Sequence, residues 1–213
     1  MLLLGFLACL GRASAGEAPA RLLVSAGPGC TPRSAGTCSL YLLELGEAPQ
    51  AHLLRAAEGG LGIIEAQASP SGGSVVYLER LGSKSERVVV QDLGSGERTT
   101  VVQRAPRERG PQWPTWLSED LIVFSRHFNE ELKPREQDPS IYSVGAKGGT
   151  PELLFGGGPG ASVCFSDPDV LGGVLVAQRS EPGRVGATPA VMGHDLRVLD
   201  AVGECHHPAW RPD

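Results

Sequence analysis

A repeat with a period near 48 residues constrains this chain more than any other feature of its sequence. Four stretches share one order, an apolar or aromatic residue followed by a small polar turn. They are Ala68-Ser69-Pro70-Ser71-Gly72, Trp116-Leu117-Ser118-Glu119-Asp120, Phe165-Ser166-Asp167-Pro168-Asp169 and Trp210-Arg211-Pro212-Asp213. Their first positions are 48, 49 and 45 residues apart. A period of roughly 20 to 50 residues marks a chain that stacks copies of one supersecondary unit, because no single unit can bury its own faces.

After the turn, three copies continue with runs of strand-like composition: Ser74-Val75-Val76-Tyr77-Leu78, Leu121-Ile122-Val123-Phe124-Ser125 and Gly173-Val174-Leu175-Val176-Ala177. A second strand family covers residues 40–45, 88–93, 141–146 and 196–201, and a third covers 52–54, 100–102 and 152–155. Helix is nearly absent from the pattern. The best helical stretch, residues 128–136, is broken by Pro134 and followed by Asp138-Pro139. About four short strands per period of about 45 residues describe a propeller blade. The expected fold is therefore all-β, a β-propeller of about four blades or an incomplete or open arc of a larger one. Its approximate repeats are 20–65, 66–112, 113–160 and 161–213. Residues 126–140 read as a long charged loop, the most conspicuous insertion, of the kind that carries binding on a propeller face.

The 29 Gly and 17 Pro stand between short apolar runs in a chain that is 41% hydrophobic, so they punctuate turns. A net charge of -5, with no Lys/Arg cluster interleaved with aromatics, argues against nucleic acid as a partner. Residues 2–10 are apolar but too short to span a bilayer, and no transmembrane helix is expected. Ala13-Ser14-Ala15 follows with the small-x-small pattern of a cleavage site, so residues 1–15 read as a removed export signal, although its one basic residue, Arg12, follows the apolar run. The alternative is a lipobox, Leu7-Ala8-Cys9, with a lipid anchor on Cys9.

Export implies an oxidising compartment, where Cys30 and Cys38, closing a short Gly/Pro/Ser/Thr loop, are a disulfide candidate. Cys164 reads as a small buried hydrophobe. Cys205-His206-His207 lacks a second ligand pair at a zinc-site spacing, and His127 and His194 stand beside no candidate nucleophile; neither metal nor cofactor is expected.

The stretch His207-Pro208-Ala209-Trp210-Arg211-Pro212-Asp213 resembles the P-x-W-S-P-D-G signature of TolB-type propeller repeats, and Pro114-Thr115-Trp116-Leu117-Ser118-Glu119-Asp120 is a degenerate copy. Ser39-Leu40-Tyr41-Leu42-Leu43-Glu44-Leu45 and Ser140-Ile141-Tyr142-Ser143-Val144 resemble the L/I-Y-x-x-D strand of the same family, so the resemblance covers residues 20–213. It implies that Trp116, Phe165 and Trp210 pack between blades, and that Pro212 and Asp213 shape the turn that launches the inner strand. It further implies a periplasmic or secreted protein with a protein partner in the cell envelope. At Asp213 the signature calls for Gly and a strand. Either the ring is larger, or residues 21–25 supply that strand and close a ring of four.

Three functions compete. The first is a non-catalytic scaffold for a protein partner. The second is the propeller part of a prolyl-oligopeptidase-type serine peptidase, which requires a G-x-S-x-G nucleophile elbow. Gly72-Gly73-Ser74-Val75-Val76 and Gly160-Ala161-Ser162-Val163-Cys164 both fail at its last Gly. The third is an enzyme acting at the propeller centre through Asp92, Glu119, Asp167, Asp169 or Asp200, most of which occupy turn positions where such side chains bond locally. Gly156-Gly157-Gly158-Pro159-Gly160 lacks the Lys-Ser/Thr of a phosphate loop. No catalytic residue is expected, and the scaffold is the favoured reading.

Overall fold

In the computed structural model the period resolves into four antiparallel sheets of four strands each. The structure describes residues 8–10, 20–28, 30, 38–46, 48–81, 85–104, 110–126, 140–155, 164–171, 174–180, 188–192 and 198–201. The first sheet contains β1 (Ala8–Leu10), β2 (Ala20–Ala26), β3 (Ser39–Leu45) and β4 (Gln50–Arg55). The second contains β5 (Leu61–Ala68), β6 (Ser74–Leu81), β7 (Ser85–Asp92) and β8 (Arg98–Gln103). The third contains β9 (Pro111–Trp116), β10 (Leu121–Arg126), β11 (Ile141–Gly145) and β12 (Glu152–Phe155), and the fourth β13 (Cys164–Leu171), β14 (Val174–Ser180), β15 (Thr188–Met192) and β16 (Val198–Ala201). Each strand pairs with its sequence neighbour, and there is no helix among the described residues. Among the described residues no helix is long and apolar enough to cross a membrane.

Continuous apolar runs, rather than alternating ones, follow from burial on both faces of a sheet. Val75 and Tyr77 of β6 pack with Leu23, Leu40, Leu42, Ile63 and Val89 between the first and second sheets. Val76 and Leu78, pointing the other way, pack with Trp116, Ile122, Phe124 and Val144 between the second and third. Val123, Ile141, Leu175 and Ala177 fill the next layer. Three apolar layers thus alternate with four sheets. Each large side chain fully removed from water contributes about 1.5–3 kcal/mol. In the middle layer the rings of Phe124 and Tyr142 stack with centroids 5.9 Å apart.

The first strands of successive sheets lie against one another and form an inner rim. Each of β5, β9 and β13 carries a bulge in which two residues oppose one: Glu65-Ala66 opposite Tyr77, Trp113-Pro114 opposite Phe124, and Asp167-Pro168 opposite Ala177. Glu65 (φ 54°) and Trp113 (φ 48°) hold left-handed backbone there, at a cost of about 1–3 kcal/mol each. The rim bonds that offset this cost join positions one repeat apart. The Trp113 N–H donates to Glu65 Oε2 (2.6 Å), Thr115 Oγ1 bonds Gln67 Oε1, and Trp116 Nε1 donates to the Gln67 carbonyl (3.2 Å). Ser71 donates its N–H and its hydroxyl to the Glu119 carboxylate, the latter at 3.0 Å. Trp116 is buried in the middle layer, where its indole ties the third sheet to the second.

Several sequence expectations change. The polar turn follows the inner strand and launches the second one, as in the loop between Ala68 and Ser74. The inner strands themselves escaped detection. Phe165 is not the counterpart of Trp116: Ala68, Trp116 and Val170 hold equivalent registers, opposite Val75, Ile122 and Leu175, while Phe165 lies earlier in β13, opposite Arg179. The third strand of the fourth sheet is Thr188–Met192, and Val198–Ala201, within the stretch expected there, is the fourth strand. Residues 21–25 pair with β3 and with Ala8–Leu10 inside the first sheet and add no strand to the fourth. Trp210, Pro212, Asp213, Cys205, His206, His207, His127, His194, the glycine run 156–160 and residues 127–139 lie outside the described residues.

A disulfide joins Cys30 to Cys38, with Cα atoms 4.9 Å apart. Both sulfurs belong to the middle apolar layer, and the Cys38 carbonyl accepts a 2.8 Å bond from the Ile63 N–H. The loop between β2 and β3 is thereby fastened to the inner strand of the second sheet.

Candidate functional site

Strand register places a polar group on one face of the second sheet. Glu79 opposes Arg87, Tyr77 opposes Val89, Val89 opposes Thr100, and Gln91 opposes Arg98. With a side-chain period of two, all of these share the face that meets the first sheet. Near the inner strands that face is dry. Toward β8 it opens into a cleft of about 380 Å³, walled by Arg55 of β4 and by Glu79, Arg87, Val89, Arg98 and Thr100. Gly96, in the β7–β8 turn, forms its edge and needs its left-handed φ of +73°.

Glu79 is the deepest charged group, its side chain 1% exposed. Arg55 Nε donates to its Oε1 at 3.0 Å, and Arg87 grips Oε2 through Nε and Nη2. Both carboxylate oxygens are therefore taken, one by each sheet. The arginines are only partly covered, with Arg55 21% and Arg87 42% exposed, and Arg98 is exposed. Two guanidinium groups thus hold one carboxylate, and Arg98, hydrogen-bonded to Tyr77, lines the same cleft. Beneath them the Tyr77 hydroxyl donates to Gln91 Oε1 at 3.2 Å. Burial, and then the Glu79 charge, push the Tyr77 pKa up to about 12, against the opposing pull of Arg98 and Arg55. The lining holds no cysteine or histidine, and its one carboxylate, Glu79, is taken up by Arg55 and Arg87. Chemically the wall is a set of fixed hydrogen-bond donors with excess positive charge.

A second buried carboxylate occupies the opposite face of the same sheet. Glu86 accepts from Arg80 Nε at 2.8 Å and lies 3.9 Å from Arg104 Nη1. Gly110 covers it so closely that a Cβ there would stand 1.5 Å from Glu86 Oε2.

The carboxylates read from the sequence do not converge where their side chains are described. Asp92 Oδ1 caps its own turn, accepting from the Ser95 N–H (2.7 Å) and hydroxyl (2.8 Å), and these bonds hold its pKa below the usual carboxylate range. Glu119 bonds Ser71, and Asp169 Oδ1 accepts from the Val170 N–H at 2.9 Å. Asp167 and Asp200 lie in β13 and β16, and their side chains are outside the described residues. Among the described residues no group of three His, Cys, Asp or Glu is placed to hold a metal. The Arg55–Glu79–Arg87 group was missed from sequence. Its signal was a lone acid inside an apolar strand run, Val75-Val76-Tyr77-Leu78-Glu79, with Arg87 opening the next one.

No protein-family model and no curated protein matches the sequence. Solved structures do. An oligogalacturonate lyase from Vibrio parahaemolyticus is similar with a TM-score of 0.62 and 10% identity over 88% of this chain and 52% of that one. A prolyl endopeptidase is similar with a TM-score of 0.56 and 17% identity over 87% of this chain and 27% of that one. A weaker likeness, with a TM-score of 0.48 and 15% identity, is to TolB from Acinetobacter baumannii, over 75% of this chain and 36% of that one. The chain spans between about a quarter and a half of the length of these proteins. At these identities the likeness is one of fold, and the fold is that of a β-propeller-like arc of four sheets.

Proposed function

We propose that the protein is an exported, non-catalytic propeller scaffold that holds a protein partner in the periplasm or cell envelope. The observation that carries this reading is the content of the cleft: guanidinium donors fixed on a buried carboxylate, which bind anions and supply neither a nucleophile nor a general base. The small-x-small site after the apolar leader and the TolB-type motif at residues 207–213 support export and an envelope partner; cleavage there takes away β1 (Ala8–Leu10) and leaves the first sheet β2, β3 and β4. A rigid stack of sheets with loops at its ends suits binding without chemistry. The test is an envelope-fraction pull-down, paired with assays for post-proline peptide cleavage and oligogalacturonate cleavage. The expected result is one partner retained in near-stoichiometric amount and no turnover in either assay; turnover with the purified chain overturns the reading.

A second reading is favoured by one comparison. The prolyl endopeptidase shares this fold across 87% of the chain but only 27% of its own length, as a propeller portion beside a separate hydrolase domain would. Sequencing the reading frame beyond Asp213 tests it: a downstream G-x-S-x-G elbow followed by Asp and His favours the peptidase.

A further inference from the structure

We propose that the cleft between the first and second sheets docks an acidic peptide segment, whose carboxylates are held by Arg87, Arg98 and Arg55. This rests on the scaffold reading and names the chemistry of its partner.

Three observations carry it. The first is charge. The chain has 24 acidic against 19 basic residues, yet this cleft is lined by three arginines and one carboxylate, an excess of positive charge on an otherwise acidic protein. The second is preorganisation. Arg55 is anchored on Glu79 through its Nε and Arg87 through its Nε and Nη2, so both orientations are set before any ligand arrives, and both side chains line the cleft. Ordering long side chains in advance removes an entropic cost from binding, and planar guanidinium groups match carboxylates with paired hydrogen bonds. The third is the position of Glu79. Burying a carboxylate costs several kcal/mol in desolvation, and an apolar residue in its place is often as stable or more so. Burial alone does not separate Glu79 from the structural Glu86; what does is the exposure of its partner Arg87 at the border of the cleft. A cleft of about 380 Å³ has room for two or three acidic side chains.

The experiment measures fluorescence anisotropy of a labelled hexaglutamate peptide with the full chain, at low and moderate salt, with hexalysine as the control. Arg98→Gln removes an exposed donor that does not hold Glu79, so the fold should persist, as a thermal melt will verify. Arg21→Gln removes an exposed arginine that pairs with Glu44 outside the cleft. The expected result is saturable hexaglutamate binding that weakens with salt, falls about tenfold in Arg98→Gln and about twofold or less in Arg21→Gln, with no hexalysine binding. Absence of saturable binding, or equal losses in the two variants, overturns the proposal. If a partner captured from the envelope is retained equally by wild type and Arg98→Gln, the cleft proposal fails while the scaffold reading stands. Peptide binding alongside catalytic turnover keeps the cleft and removes the scaffold.

Discussion

Glu79 and Glu86 are buried carboxylates on opposite faces of one sheet, and they differ in what surrounds them. Glu86 is held by Arg80 of its own sheet and by Arg104, just past the end of β8, and is roofed by Gly110, with two arginines to one carboxylate as at Glu79. Glu79 is held from two sheets at once, by Arg55 and Arg87, and the guanidinium groups that hold it border open solvent. The same ion-pair chemistry serves cohesion on one side and presents donors on the other. Burial of the acid does not distinguish the two, and among the four arginines it is Arg87 that stands apart, 42% exposed against 21% for Arg55, 20% for Arg80 and 19% for Arg104.

The largest expected effect breaks the sealed pair. Arg80→Ala leaves Glu86 buried with only the longer Arg104 contact, and unfolding in urea should lose about 3–5 kcal/mol, as uncompensated buried charges do. Gly110→Ala comes next, since its methyl group collides with the Glu86 carboxylate, and a loss of about 1–3 kcal/mol is expected by the same measurement. Glu79→Gln should cost less than Arg80→Ala, about 1–2 kcal/mol, because water in the cleft can solvate the released arginines. Equal losses in Arg80→Ala and Glu79→Gln would erase the distinction between the faces.

The smallest effect sharpens the comparison through pH. The Tyr77 pKa is raised from 10.0 to about 12, so the folded state keeps a proton that the unfolded state releases. The stability this represents is complete below pH 10 and is lost as pH rises to about 12. Tyr77→Phe should flatten the stability profile in that window, read from urea midpoints, and tyrosinate absorbance should rise late in the wild type.

The middle strands of each sheet were legible because they are buried on both faces and read as unbroken apolar runs, such as Leu121-Ile122-Val123-Phe124. The inner strands were not. In β9 and β13 a proline lies within the strand, at Pro114 and Pro168, and in sequence it signals a turn. The bulge accommodates it by leaving the extra residue out of the ladder. The same device misled the alignment at Phe165, where Asp167-Pro168-Asp169 imitates the repeat's turn but lies at the bulge. The cleft was illegible for a different reason. Glu79 and Arg87 are adjacent through strand pairing, but Arg55 arrives from the neighbouring sheet, 24 residues away in sequence, and only stacking brings it into reach.

The rim bonds that join positions one repeat apart have a consequence for assembly. Those bonds all link the second sheet to the third, and apolar layers join each sheet to its immediate neighbour, so the stack is cohesive in the manner of a one-dimensional lattice, with an internal term for each sheet and a coupling term for each junction. Folding can then nucleate in whichever sheet forms first and spread outward by accretion, and a lesion at one junction divides the stack into two cooperative blocks instead of dissolving it.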